Sequence, residues 1–164
     1  MATARTPEGD IATDVVLETF RVNGLLVAAG NRLAAQEGLT AALWQVLGPV
    51  ALAGRPLTVP QIARRMGLTR QAVQASVNRL RSEGLVETRE NLDHRRSPLI
   101  RLTPLGRQKY EALDWRQIRW INELSAGLKL ADLAAAARLL RDLSDRLEMT
   151  AGTGRERDGD DAAT

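Results

Sequence analysis

Amide, hydroxyl and guanidinium side chains recur along the segment that follows Thr69, and no acidic residue occurs within residues 64–82. A helix here places Val73, Val77 and Leu80 on one apolar stripe, because successive residues are rotated by about 100°. The opposite face then carries small or hydrogen-bonding side chains, namely Gln71, Ala75, Asn78, Arg79 and Ser82, with Gln74 at its flank. Glutamine and asparagine can pair with adenine in the major groove of DNA, arginine with guanine, and an alanine methyl group can contact the methyl group of thymine. The chemistry available to this face is therefore hydrogen bonding to the edges of DNA bases.

A helix-turn-helix is the arrangement that would position this face. Thr58 can cap a short helix with the sequence VPQIARRM, which Gly67 closes. Thr69 can cap the next helix, which runs to about Glu83 and ends at Gly84. The short helix supplies an apolar face to the longer one through Ile62, Ala63 and Met66. The alternative for the second helix alone is a polar surface helix that lacks acidic residues, but the preceding helix and the short turn with glycine favour the DNA-binding motif.

Positive charge is concentrated in the same part of the chain. Residues 55–109 contain twelve Lys or Arg and four Asp or Glu, a net charge of +8, whereas the whole chain of 164 residues carries only +3. The remaining residues therefore sum to −5. A positive block within an otherwise acidic chain indicates a surface that binds a polyanion.

A hairpin with arginines at its tip follows the second helix. Residues 85–90 and 97–102 can pair as antiparallel strands, and the connection NLDHRR is too charged to be buried. Arg95 and Arg96 could enter a narrow minor groove, where negative potential is concentrated, and Asp93 could hold one of them through an ion pair. A solubilising loop is the alternative for this hairpin by itself. Beside a helix-turn-helix we interpret the hairpin as a wing, with the nearby histidine as a polar contact at the tip rather than a pH sensor or a metal ligand.

Long helices are predicted on both sides of this module. Residues 14–37 read as one helix, and a second helix follows. Gly48 and Pro49 lie inside the second helix and predict a kink or an early stop, because proline removes an intrahelical hydrogen bond. After the hairpin, one helix is predicted over about 104–127 and a last one over about 131–148. The predicted order is ααααββαα, a mainly α fold of the winged helix-turn-helix class.

The expected domain organisation is a single winged-helix domain between two tails. The domain covers residues 13–150, and the expected disordered tails, residues 1–12 and 151–164, are rich in small and charged residues. Within the domain, residues 56–103 form the expected DNA-binding module. Helices over about 14–37 and 104–149 form the expected dimerisation region.

The last helix carries an apolar seam. Leu133, Leu140 and Leu147 recur every seven residues, with alanines between them. This spacing suits packing between helices. From the pattern alone, the seam could pack against a second subunit or against the first helix of the same chain.

Composition excludes several classes of site. The chain contains no cysteine and one histidine, which excludes a disulfide scaffold and a thiolate metal site and argues against a histidine metal site. It has no glycine-rich phosphate loop, histidine dyad or carboxylate pair within an apolar run, so we expect neither an enzyme nor a cofactor. No apolar run approaches the ~20 residues that span a bilayer, and the first residues lack the apolar core of a signal peptide. The expected compartment is the cytoplasm, at the nucleoid.

These segments resemble the MarR-type (multiple antibiotic resistance regulator) winged-helix transcription factors over about residues 14–148. The most specific matches are LTVPQIARRMGLTRQAVQASVNRLRSEGLVE and NLDHRRSPLIRLTPLG. The resemblance implies a homodimer that binds a pseudo-palindromic operator, often as a repressor, and in many members releases DNA when a small phenolic or carboxylate ligand binds. It implies DNA contacts from the positions Arg70, Gln71, Gln74, Ala75 and Asn78 and from Arg95 or Arg96. Thr69 and Arg79 complete the predicted DNA-binding set.

The wing departs from the commonest form in the family, in which an aspartate precedes an arginine by two positions. Aligned on Asp93, the chain keeps this spacing with Arg95. Aligned on Arg95, Arg96 and Ser97, the chain instead has Asn91 and Asp93 at the positions of the family's aspartate and arginine. Which arginine enters the groove therefore stays open. The cysteine sensors known in the family have no counterpart here.

Three of the five aromatic residues are tryptophans, Trp44, Trp115 and Trp120. In the family fold, the second and fifth helices border a cleft between the dimer region and the winged helix. The resemblance therefore implies that Trp44 and one of Trp115 or Trp120 could line an apolar site for a small aromatic or phenolic effector. Simple core packing is the alternative for each tryptophan.

Two functions compete on this basis. One is a sequence-specific transcriptional regulator, and the other is a non-specific architectural DNA-binding protein. Contacts to phosphate need only lysine and arginine, so the polar face with Gln71, Gln74 and Asn78 favours the specific regulator.

Overall fold

The computed structural model describes residues 4–157, and over this range the chain forms helices with one small antiparallel sheet. The helices are α1 (Pro7–Ala35), α2 (Ala41–Leu52), α3 (Val59–Met66), α4 (Arg70–Ser82), α5 (Pro104–Ser125) and α6 (Leu130–Arg157), and the strands are β1 (Leu57–Thr58), β2 (Val86–Arg89) and β3 (Leu99–Leu102). The chain divides into two compact units, one that ends at Trp120 and one that begins at Ile121. The elements confirm the mainly α, winged helix-turn-helix class predicted from the sequence.

The sheet contains a strand that the sequence pattern did not predict. β3 is central, with β1 paired on one side and β2 on the other, both antiparallel. β1 comprises only Leu57 and Thr58, opposite Ile100 and Leu99, which is too short for an alternating pattern to be recognised. Leu57 is fully buried, so tertiary packing fixes this strand. The observed order is therefore ααβααββαα rather than ααααββαα.

The helix-turn-helix forms where its capping residues predict it. Thr58 and Gln61 make a reciprocal capping box at the start of α3, and Gly67 ends that helix in the left-handed conformation, at φ 62°. The Thr69 hydroxyl accepts a hydrogen bond from the Ala72 N–H at 3.1 Å and caps α4. Each such cap stabilises its helix by about 1 kcal/mol, so both helix starts are specified locally.

The stripe predicted on α4 is buried. Val73, Val77 and Leu80 are 0%, 1% and 0% exposed. Ile62 and Ala63 of α3 join them in the same core, and α2 packs against both helices. Burying a side chain of this kind contributes about 1.5–3 kcal/mol. Because these residues anchor one side of α4, its opposite face points into solvent.

α5 begins against the base of the hairpin, through a close approach of two backbone segments. The Thr103 hydroxyl accepts a hydrogen bond from the Gly106 N–H at 3.0 Å and donates to the Gly84 carbonyl at 2.7 Å. The Thr103 N–H donates to the Leu85 carbonyl at 3.1 Å. A Cβ atom at position 106 would lie 1.9 Å from that same carbonyl oxygen. Glycine at position 106 therefore allows α5 to start this close to the hairpin.

α1 begins earlier than its composition suggested. The predicted tail of residues 1–12 is wrong from Pro7 onward, because the Thr6 hydroxyl accepts a hydrogen bond from the Gly9 N–H at 3.1 Å and starts the helix there. Acidic side chains in the first turn stabilise the helix, because they interact favourably with the positive end of its dipole. Small and charged residues occur both in disordered tails and in helix starts, so composition alone did not separate the two.

α6 likewise continues past the predicted last helix, to Arg157. The predicted tail of residues 151–164 is therefore helical over 151–157, while residues 1–3 and 158–164 lie outside the described residues. Over the part of the chain that is described, no helix is both long enough and apolar enough to cross a membrane.

α2 continues through the proline that predicted a kink or an early stop. The helix runs to Leu52, so the early stop does not occur. Pro49 is buried together with Val46, Leu47 and Val50, and α2 packs against α3 and α4. We infer that this burial offsets the hydrogen bond that the proline cannot donate.

Candidate nucleic-acid interface

The exposed face of α4 carries the side chains that the sequence analysis assigned to DNA. Its exposed residues include Thr69, Arg70, Gln71, Gln74, Ala75, Asn78 and Arg79. A helix that buries one stripe presents the other to solvent, so this exposure follows from the core residues of α4. α4 itself contains no acidic residue, so the face offers amide and guanidinium groups, and the carboxylate of Glu83 lies just past the end of the helix.

Two of these side chains are bonded to each other. Gln74 Nε2 donates a hydrogen bond to Asn78 Oδ1 at 3.0 Å, across one helical turn. Residues four apart on a helix are neighbours, and amide pairs of this spacing stabilise the helix modestly. The bond links the two side chains although both remain exposed.

Arg79 is already paired within its own segment. Its Nε donates to Glu83 Oε1 in an ion pair between residues four apart, a partner that the sequence analysis did not foresee. Exposed pairs of this spacing contribute about 0.3–0.5 kcal/mol, so a phosphate can compete for the guanidinium. Arg70, in the first turn of α4, has no ion-pair partner among the described residues.

The hairpin places its arginines at an exposed tip, but Asp93 does not hold either of them. Arg95 Nε lies 3.9 Å from Glu90 Oε1, and both side chains are mainly exposed. The expected ion pair with Asp93 is therefore wrong, and the carboxylate at the end of the preceding strand takes its place. Within the described residues, Arg96 forms no ion pair.

Asn91 supports the tip from inside the loop. Its side chain is 7% exposed, and its Nδ2 donates to the Ser97 carbonyl at 2.9 Å. Two backbone hydrogen bonds close the loop, from the His94 N–H to the Asn91 carbonyl at 3.2 Å and from the Ser97 N–H to the His94 carbonyl at 2.8 Å. Sequence reasoning missed this role. The available signal was the preference of asparagine for turns, where its side chain bonds the backbone.

A cavity of about 490 Å³ lies beside the helix-turn-helix. Trp44 of α2 and Trp120 of α5 line it together with apolar side chains that include Leu26, Val27, Leu52 and Met66. Trp115 lies elsewhere: it is 61% exposed, and the Arg119 guanidinium carbon is 5.3 Å from its ring centroid. Of the three tryptophans assigned to an effector site, the structure therefore brings together Trp44 and Trp120 and leaves Trp115 out.

The polar lining of the cavity includes one cation and no acid. The polar side chains are Asn23, Gln45 and Arg65, and Arg65 has no ion-pair partner in the described part of the chain. α1 and α2 pack closely beside the cavity, since a Cβ atom at Gly30 would lie 3.2 Å from the Ala41 Cβ atom. A guanidinium beside two amides in a mainly apolar cavity suits an aromatic molecule with an anionic group.

The helix seam predicted on α6 is exposed in the single chain. Leu133, Leu140 and Leu147 are 41%, 44% and 69% exposed. α1 also exposes large apolar side chains, among them Phe20 at 70% and Leu25 at 62%. Each of these two helices therefore exposes several large apolar side chains.

Comparison with known proteins assigns the family. The sequence profile described as MarR family matches residues 37–97, from the end of α1 to the wing. The uncharacterized protein Rv2011c of Mycobacterium tuberculosis is 46% identical over 127 residues, which are 77% of this chain and 87% of that protein. The transcriptional activatory protein BadR of Rhodopseudomonas palustris is 25% identical over 142 residues, which are 85% of this chain and 81% of BadR.

The fold is also shared with solved structures. The PcaV transcriptional regulator from Streptomyces coelicolor, solved in complex with its natural ligand, matches with a TM-score of 0.70 and 25% identity over 88% of this chain and 98% of PcaV. The helix-turn-helix and the wing described above lie within the segment that matches the family profile. The chain belongs to the MarR family of DNA-binding transcriptional regulators.

Proposed function

We propose that this protein is a ligand-responsive repressor that acts as a homodimer on a pseudo-palindromic operator. The observation that carries the proposal is the exposed polar face of α4, whose amide side chains can read base edges. Binding to phosphate alone needs only positive charge and would leave these amides without a role. Arg95 and Arg96 of the wing would add affinity at the neighbouring minor groove.

The homodimer is supported by the apolar surface that one chain leaves exposed. Phe20 and Leu25 on α1 and Leu133 and Leu140 on α6 are each more than 40% exposed. A second copy is the occupant that we propose, because an operator with two half-sites is matched by two recognition helices related by twofold symmetry. Such an interface is isologous, so the same apolar patches would meet their own copies.

We propose that the effector is a small aromatic or phenolic molecule with an anionic group, bound in the cavity near Trp44 and Trp120. The volume of about 490 Å³ lies within the range of roughly 300–1,000 Å³ that holds drug-sized ligands. Arg65 would pair with the anionic group, since the cavity lining contains no carboxylate to neutralise this guanidinium.

The route from ligand to DNA would run through α3. Arg65 and Met66 belong to α3, which packs directly against α4. A ligand changes DNA affinity only if it binds one arrangement of these helices better than the other. Coupling free energies between sites are typically about 1–3 kcal/mol, so we expect the ligand to weaken operator binding by roughly 5-fold to 150-fold.

A specificity measurement tests the regulatory function. Selection from random duplexes should enrich an inverted repeat, and this site should bind at least ~10³-fold more tightly than random duplex at one stated salt concentration. Similar affinities for both would contradict a sequence-specific regulator. They would instead support the architectural alternative, which the net charge of +8 over residues 55–109 favours.

The direction of regulation is tested in cells. Deleting the gene should raise expression from a promoter that carries the selected site, because a repressor blocks transcription there. A fall in expression would show activation, the role in the name of the relative BadR.

A further inference from the structure

The hydrogen bond between Gln74 and Asn78 limits what each side chain can recognise. An amide nitrogen carries two hydrogens, and an amide oxygen is an acceptor. Because one hydrogen of Gln74 Nε2 is donated to Asn78 Oδ1 at 3.0 Å, Gln74 keeps one donor hydrogen and its oxygen. Asn78 keeps both hydrogens of its nitrogen and the second lone pair of its oxygen. Gln74 therefore presents a donor beside an acceptor.

These remaining groups match different bases in the major groove. Adenine presents an acceptor at N7 beside a donor at N6, which matches the donor and acceptor that Gln74 retains. Guanine presents two acceptors instead, and cytosine presents a donor.

A neighbouring side chain favours the same A·T pair. Ala75, next to Gln74, is exposed and offers a methyl group that can contact the methyl group of thymine.

We propose that Gln74 reads an adenine in each operator half-site and that Asn78 is the residue that orients Gln74 for this contact. The proposal rests on the proposed function, since it requires α4 to enter the major groove. Asn78 acts on the adenine through Gln74 and is a positioning residue for that base.

The first test uses the wild-type protein and modified DNA. In a duplex that carries the selected inverted repeat, each adenine is replaced in turn by 7-deaza-adenine, which lacks the N7 acceptor but keeps Watson–Crick pairing. One symmetric position should weaken binding roughly 5-fold to 100-fold, in line with the contribution of a two-pronged base contact. The same replacement at that position should have no effect on the Gln74→Ala variant, which has no amide group to bond N7.

The second test measures the base preference of protein variants. Gln74→Glu replaces the donor with an acceptor and should shift the preferred base at that position from adenine to cytosine, which offers a donor. Asn78→Ala should relax the adenine preference at the position read by Gln74 while the melting temperature stays near that of the wild type. Arg95→Ala is the matched control, because loss of a wing cation should lower affinity for all sequences and leave the adenine preference intact.

The outcomes distinguish a failure of the proposed function from a failure of the role given to the Gln74–Asn78 pair. A selection that enriches no sequence would overturn the proposed function itself. An enriched inverted repeat that tolerates 7-deaza-adenine at every position, or that keeps its adenine preference in Asn78→Ala, would overturn the role of the Gln74–Asn78 pair and leave the regulator intact.

Discussion

At the scale of single residues, the wing depends on one buried amide. Asn91 is 7% exposed, and its Nδ2 spans the loop to the Ser97 carbonyl. The Ser97 carbonyl is partly buried, and a carbonyl of this kind that loses its donor retains part of the cost of desolvation without compensation. The exposed Arg95 and Arg96 extend from the same loop, so their placement toward DNA depends on this internal bond.

Replacing Asn91 by alanine should therefore damage both stability and DNA binding. We expect the free energy of unfolding to fall by about 1–3 kcal/mol, measured by urea denaturation, because the Ser97 carbonyl is left without its donor. Operator affinity, measured by titration, should fall as well. Leu92→Ala is the control: its side chain is 82% exposed, and we expect a change in stability within about 0.5 kcal/mol. An Asn91→Ala protein that unfolds and binds like the wild type would show that other interactions hold the wing.

The wing arginines should contribute affinity rather than sequence preference. The double variant Arg95→Ala with Arg96→Ala should weaken binding to operator and random duplex to a similar degree, because phosphate and groove potential attract both arginines on any sequence. The slope of log affinity against log salt should shrink by about 0.9 for each phosphate that the variant no longer neutralises. Full affinity together with an unchanged slope would mean that the hairpin does not act as a wing.

At the scale of elements, the start of α5 is positioned by backbone contacts to the hairpin. Gly106 lies so close to the Leu85 carbonyl that a Cβ atom would sit 1.9 Å from its oxygen. The hydrogen bonds of Thr103 to the same region fix this approach. α5 therefore cannot retain its place if position 106 gains a side chain.

Gly106→Ala should destabilise the protein, although alanine is the better helix former. Relief of the overlap requires α5 or the hairpin to shift, and overpacking of this kind typically costs about 1–3 kcal/mol. Gly48→Ala is the matched control, since Gly48 also lies within a helix, α2, but a Cβ atom there meets nothing within 4 Å. That control should be neutral or stabilising by up to about 1 kcal/mol. Thermal denaturation of both variants decides the point, and equal stability of the two would contradict the close approach.

The sequence predicts an element well when local residues specify it and poorly when tertiary packing does. α3 and α4 are specified by Thr58, Thr69 and Gly67, which act locally, and their bounds were predicted closely. β1 was missed because two residues are too few to show the alternating pattern of a strand, and its position depends on the burial of Leu57. The partner of Arg79, the bond between Gln74 and Asn78 and the burial of Asn91 depend on side-chain conformation and tertiary packing, which residue spacing does not determine.

At the scale of the whole molecule, the exposed apolar residues of α6 predict association between copies. The main buried core lies within residues 34–113, so a substitution on α6 can disrupt an interface without removing that core. Sedimentation of the wild type should give about twice the chain mass of 17.9 kDa. Leu140→Asp should give a folded monomer, because an unpaired carboxylate in an apolar interface is costly.

The control for this experiment is Leu92→Asp, which introduces the same charge at a wing residue that is 82% exposed. It should remain dimeric, with circular dichroism spectra like those of the wild type. A wild-type protein that is monomeric at micromolar concentration, or a Leu140→Asp variant that stays dimeric, would exclude the proposed interface.

Ligand binding is testable through the tryptophans. Aromatic carboxylates and phenols should quench tryptophan fluorescence and release operator DNA, and both effects should be lost in Trp44→Leu because this ring lines the cavity. Arg65→Gln should weaken the binding of carboxylates more than the binding of neutral phenols, since it removes the cation of the cavity. Trp115→Leu is the control, as this ring is exposed and lies outside the cavity. A Trp44→Leu protein that responds like the wild type would assign Trp44 to core packing.

The position of α3, which lines the cavity with one side and packs on α4 with another, has a consequence for promoters that share this regulator. Linkage is reciprocal, so the factor by which an effector weakens operator binding is also the factor by which the operator weakens effector binding. A promoter whose operator binds the regulator tightly would then be released only at a higher effector concentration than a promoter whose operator binds it weakly. Under the proposed mechanism, operator strength alone could set the order in which several promoters respond to one rising metabolite, without any change in the protein.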